Sequence, residues 1–139
     1  MRNIARLSGA FLALQLLAVP LTAQASGSGG DGEATTIEVR MVDKGPARFV
    51  FEPEEIRVRT GDRVVWIQEG VMPHNVEFTG GPPEFVVSGL PVSPFLTMKG
   101  QRWELVIDER FEAGRYAYIC TPHVAMGMRG TIEVVGSLK

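Results

Sequence analysis

The sequence predicts an all-β domain, a sandwich or barrel of seven or eight short strands. Three observations lead there. Beyond residue 34, short runs rich in Val, Ile, Phe, Thr, Tyr and Trp alternate apolar and polar positions. Gly, Pro and Asp interrupt those runs at close intervals, as turns require. Beyond residue 25, no window carries the 3.6-residue period of an amphipathic helix.

The elements follow in order. Residues 1–25 have the pattern of a cleaved secretory signal: Arg2 and Arg6, an apolar run from Ala10 to Val19, Pro20, and Ala23-Gln24-Ala25 as a small-x-small cleavage site. The apolar run is shorter than the about 20 residues that span a bilayer, so no membrane span is expected after cleavage. Residues 26–34 are Gly- and Ser-rich and read as a flexible linker. The folded domain is therefore expected over 35–139.

Thr35 to Met41 alternates, with Ile37, Val39 and Met41 on one face. Phe49 to Phe51 is a short apolar strand ended by Pro53, and Glu55 to Arg59 alternates through Ile56 and Val58. Thr60-Gly61-Asp62 turns the chain into Val64 to Gln68, which contains Trp66. His74 to Phe78 reads as the next strand. Residues 80–100 hold Pro82, Pro83, Pro91 and Pro94, which excludes a long helix or a central strand. Phe85 to Val87 and Phe95 to Met98 are candidate edge strands. Arg102 to Ile107, Arg115 to Cys120 and Gly130 to Val135 complete the set. Trp66 and Trp103 are read as packing residues.

Composition bounds the function. Removing residues 1–25 leaves 12 Lys and Arg against 16 Asp and Glu, an acidic balance with no long charge run, which argues against nucleic acid as a partner. The chain has one cysteine. A secreted protein with an unpaired thiol needs a reason for it, because no internal disulfide is available in an oxidising compartment. Metal ligation is one reason; an inert buried cysteine is the other.

The residues that could ligate a metal concentrate in one stretch. Cys120, His123, Met126 and Met128 lie within nine positions, and the second of only two histidines is His74. The spacing is Cys120-x2-His123-x4-Met128. A thiolate, two imidazoles and a thioether form the soft donor set of blue-copper electron-transfer sites. Cys-x2-His alone also occurs in zinc sites, but structural zinc more often recruits a further cysteine or histidine. The expected cofactor is therefore one copper ion.

Several motifs resemble one known family. Phe51-Glu52-Pro53, Thr60-Gly61-Asp62 with Val64-Val65-Trp66, Pro73-His74-Asn75-Val76, Tyr118-x-Cys120-Thr121-Pro122-His123 and Met126-Gly127-Met128-x-Gly130 are similar to the plastocyanin/pseudoazurin group of cupredoxins. The resemblance spans nearly all of 35–135. It implies a Greek-key β-sandwich with type 1 copper at one end. It implies His74, Cys120 and His123 as the trigonal ligands and Met128 as the weak axial one. Met126 stands at the axial spacing of the amicyanin branch and is the rival. Asn75 is implied as the residue outside the ligand set whose N–H reaches the Cys120 sulfur and whose side chain ties the two ligand loops together. Pro122 has no N–H, so no bond to that sulfur can come from its position.

The function expected is a periplasmic or secreted one-electron carrier, a monomer that docks transiently with redox proteins through apolar residues around His123. No acid/base constellation or second metal cluster is visible, so an enzyme is not expected. The alternative is a periplasmic copper-binding or delivery protein without electron transfer. Two features depart from plant plastocyanins. Ile119 stands where they have a tyrosine before the cysteine, and their acidic patches have no clear counterpart. Partner identity therefore does not follow from the resemblance.

Overall fold

A computed structural model describes residues 33–137. The signal (1–25) expected from the sequence, and most of the linker (26–34), lie outside the described residues. Eight strands form two four-stranded sheets. They are β1 (Thr36–Asp43), β2 (Phe49–Glu52), β3 (Glu55–Thr60), β4 (Arg63–Gln68), β5 (Glu77–Gly80), β6 (Arg102–Val106), β7 (Gly114–Ile119) and β8 (Arg129–Ser137). The first sheet runs β2-β1-β4-β6 and the second β3-β8-β7-β5. The chain thus passes back and forth between the layers, as the sandwich reading requires. The pairs β1–β4 and β3–β8 are parallel; the remaining pairs are antiparallel.

Alternation decides which side chains form the core. On β1, Val39 and Met41 are fully buried while Glu38 and Arg40 face out. Parallel pairing sets β1 beside β4, with Val39 opposite Trp66 and Met41 opposite Gln68. Trp66, Phe78, Tyr116, Tyr118 and Ile132 fill the space between the sheets. Trp66 meets Tyr118 and Phe78 edge to face, and Trp103 lies tilted against it at 5.0 Å between ring centroids. Both tryptophans are packing residues, as expected. Opposite Tyr118 on β8 stands Gly130, where a Cβ would overlap the tyrosine ring. Only glycine lets this large side chain lie flat against its neighbouring strand.

Residues 80–100 correct two expectations. Phe85 to Val87 is not an edge strand; it lies in a short helix, α1 (Pro83–Ser88). Proline is favoured in the first helical turn, where an N–H would have no partner. The Pro82 carbonyl accepts the N–H groups of Phe85 and Val86. Phe85 is buried against Phe78, Phe111 and Tyr116, which holds the helix over that end of the core. Nor is Phe95 to Met98 a strand. Leu96 alone pairs, with His74, and the N–H groups of Thr97 and Met98 are taken by the Gln101 side chain.

The strand expected over His74 to Phe78 begins only at Glu77. Before it, His74 exchanges both backbone hydrogen bonds with Leu96, and Val76 bonds the Ser93 hydroxyl and N–H. Residues 92–96 thus run back along 74–77 and lie beside the metal-ligand candidate His74. Likewise β7 ends at Ile119, one residue short of Cys120. Residues 121–126 form a 3-10 helix closed by Gly127 in the left-handed region at φ 85°.

Candidate metal centre

Two loops and one short helix meet at one end of the sandwich. The first loop (69–73) leaves β4 and delivers His74. The second segment leaves β7 with Cys120 and carries His123 on the 3-10 helix. That helix returns the chain so that the Cys120 N–H bonds the Met128 carbonyl at 3.1 Å and the Met128 N–H bonds the His123 carbonyl at 3.2 Å. Met128 is thereby brought against both residues and is fully buried, whereas Met126 is 42 % exposed.

The donor atoms converge. Cys120 Sγ lies 3.5 Å from His74 Nδ1 and 3.4 Å from His123 Nδ1, and the two Nδ1 atoms are 3.0 Å apart. All three side chains are buried. Among the described residues this is the one group of three His, Cys, Asp or Glu side chains with such geometry. Burial raises the Cys120 thiol above its ordinary pKa, although the N–H groups of Asn75 and His123 oppose it. The metal-free thiol therefore holds its proton, and a metal must displace it. Burial lowers the pKa of His123, with the nearby His74 ring acting in the same direction. His123 thus stays neutral with a lone pair free.

The loops are tied together around these atoms. Asn75 Nδ2 donates to Thr121 Oγ1 and Asn75 Oδ1 accepts the Thr121 N–H, both at 2.8 Å. The Thr121 hydroxyl in turn donates to Glu77 at 2.5 Å. Three contacts had no signal in the sequence. The Phe49 ring stacks on His123 at 3.9 Å and 17°. Asp43 Oδ1 lies 2.7 Å from His74 Nε2. Gln68 is fully buried, and its amide donates to the carbonyls of Gly70 and Met72. Phe49 and Gln68 read as ordinary strand residues, and Asp43 as a polar residue past a strand end.

Comparison with known proteins agrees with this geometry. Residues 37–135 match the family described as copper binding proteins, plastocyanin/azurin family. The chain belongs to that family. Among its relatives, a plastocyanin from Scenedesmus fuscus is 33 % identical over 88 residues, covering 62 % of this chain and 87 % of the relative. An amicyanin from Paracoccus denitrificans is 38 % identical over 88 residues, 63 % of this chain and 60 % of the relative. Among solved structures, a reduced amicyanin variant superposes with a TM-score of 0.54 at 33 % identity, covering 71 % of this chain and 81 % of the other. A variant fern plastocyanin does so with 0.59 at 27 % identity, over 70 % and 99 %. The cupredoxin fold expected from the motifs is thus the fold observed.

The donor set fits the copper of this family. A point equidistant from the three donor atoms lies about 1.9 Å from each, slightly inside ordinary metal–imidazole and metal–thiolate lengths of about 2.0 and 2.3 Å. Both imidazoles present Nδ1, and the thiol can bind only as a thiolate. Soft sulfur beside imidazole suits copper in either oxidation state.

Proposed function

We propose that this chain carries single electrons, with His74, Cys120 and His123 holding copper in a trigonal plane and Met128 on its axis. The observation that carries the reading is the buried triangle of two Nδ1 atoms and one Sγ, 3.0–3.5 Å on a side. Bound copper supplies the Cu(II)/Cu(I) couple. The chain supplies the cage. His74 is held from behind by Asp43 and along its backbone by Leu96. Cys120 and His123 are locked by the 3-10 helix, and the Asn75–Thr121 pair joins the two loops. Such a cage gives little room for ligands to move between oxidation states. The burial of Met128 and the exposure of Met126 support Met128 as the axial donor.

The same end carries the docking surface. His123 is buried at 4 % exposure beneath this surface, and we assign its ring as the electron port. Around it Val71, Met72 and Met126 are exposed apolar residues. A small apolar surface suits brief contact with redox proteins. The N-terminal pattern supports a periplasmic or secreted location. No helix among the described residues is long and apolar enough to cross a membrane. The plastocyanin and amicyanin relatives are electron carriers, which favours a carrier over an enzyme.

The test is direct. Cu(II) added to the purified domain should give an intense thiolate-to-copper band and an EPR signal. Both should vanish on reduction, and the band should vanish in Cys120→Ser. A colourless wild-type product would overturn the reading.

A further inference from the structure

Asp43 closes β1 at the metal end of the sandwich. Its carboxylate is divided between two tasks. Oδ1 faces His74 Nε2 at 2.7 Å, while Oδ2 accepts the N–H groups of Val71 and Met72 at 2.8 and 3.0 Å. Gly70 makes room for it, since a Cβ at that position would overlap the carboxylate. The His74 ring is wholly buried and the Asp43 side chain is 15 % exposed.

The two nitrogens of an imidazole are coupled. His74 Nδ1 points at Cys120 Sγ and His123 Nδ1, so it must carry the lone pair when a metal is bound. The proton then belongs on Nε2, where Asp43 accepts it. A carboxylate differs from a carbonyl acceptor in one respect: it adds a full negative charge behind the ligand. That charge is shielded poorly, because the ring between it and the metal is buried. It stabilises the more highly charged oxidation state.

We propose that Asp43 is a positioning residue that fixes the Nε2–H form of His74 and lowers the potential of the centre by favouring Cu(II) over Cu(I). The proposal rests on the copper reading above. It assigns Asp43 two separable effects. Loss of the acceptor loosens His74 and weakens binding of both oxidation states. Loss of the charge weakens Cu(II) more than Cu(I), and only this difference moves the potential.

The experiment compares wild type with Asp43→Asn and Asp43→Ala. Cu(II) and Cu(I) affinities are measured by competition with chelators, and the midpoint potential is measured independently. The expected result is a Cu(II) affinity that falls at least tenfold more than that of Cu(I), a rise in potential of about 59 mV or more for one electron. Equal losses for both ions with an unchanged potential would leave only a structural role and overturn the proposal. Wild-type apoprotein gives a second readout that needs no variant. Its His74 should show the Nε2–H tautomer by nitrogen NMR. The Nδ1–H tautomer would overturn the assignment. If wild type itself bound no copper, the copper reading would fail first, which separates the two failures.

Discussion

The Asn75–Thr121 pair gives the sharpest test of how the centre is assembled. Asn75 is 3 % exposed and its amide makes two hydrogen bonds of 2.8 Å across 46 residues of sequence. Each is worth about 1 kcal/mol net, and a buried amide that is removed takes some packing with it, so Asn75→Ala should cost about 2–3 kcal/mol. For a domain of this size, about 4 °C of melting temperature accompanies each kcal/mol, so the apoprotein should melt about 8–12 °C lower. Thr121→Ala removes one of the two bonds and the exposed bond to Glu77, and should cost a little more than half as much. Because the Asn75–Thr121 bond is shared, the double variant should lose less than the sum of the two losses, exceeding Asn75→Ala only by the Glu77 bond. Circular-dichroism melts of the four apoproteins at neutral pH decide it. An Asn75→Ala melt within about 2 °C of wild type, or full additivity, would show that this clamp does not join the ligand loops.

The axial position and the acid response provide two further tests. Met128→Ala should alter the visible and EPR spectra of the copper protein and raise or lower its potential, while Met126→Ala should leave the spectra as they are; the reverse pattern would make Met126 the axial donor. Asp62 tests the opposite end of the molecule. Burial alone would raise its pKa, but the N–H groups of Thr35 and Arg59 and the Thr35 hydroxyl more than offset this and hold it below the ordinary value. A carboxylate with a depressed folded-state pKa stabilises the fold above its unfolded value of about 3.9, and that stability is lost as pH falls through the folded value. Asp62→Asn should therefore melt below wild type at pH 7, with the gap narrowing toward pH 3; a gap of constant size would refute the linkage.

What could be read in the sequence was whatever period or donor chemistry made visible. The alternation of Ile37, Val39 and Met41 placed β1 correctly because one face of it meets the core and the other meets water. Cys120, His123 and His74 stood out because so few side chains of their kind exist in the chain, and the structure brings all three together. The segment from 80 to 100 failed on both counts. Phe85-Val86-Val87 is a short apolar run, which periodicity cannot assign to helix or strand. Prolines before it signal a break in regular structure, although Pro83 occupies the helix start, where proline is welcome. Asp43 and Phe49 were invisible for another reason. Their importance lies in which ring they touch across the fold, and neither residue type at a strand end signals such a contact.

The three contacts on His74 suggest why the long 80–100 segment belongs to the function rather than to the surface. Asp43 reaches the ring from β1, Leu96 pairs with the backbone from the far end of that segment, and the adjoining Asn75 is tied to Thr121. These partners come from three separate parts of the chain, so no single local fluctuation releases the ligand. His123 is held differently: its ring lies against Phe49 and its backbone belongs to a short 3-10 helix whose N-cap, Cys120, has no side-chain cap hydrogen bond. A stacked ring contributes about 0.5–1.5 kcal/mol beyond burial, while the His74 ring is held by one hydrogen bond to a carboxylate. His74 is held by Asp43 and Leu96, and His123 by the Phe49 ring and the backbone bonds of the 3-10 helix. Electron transfer gains from both sets of restraints, because they keep the donor triangle in place.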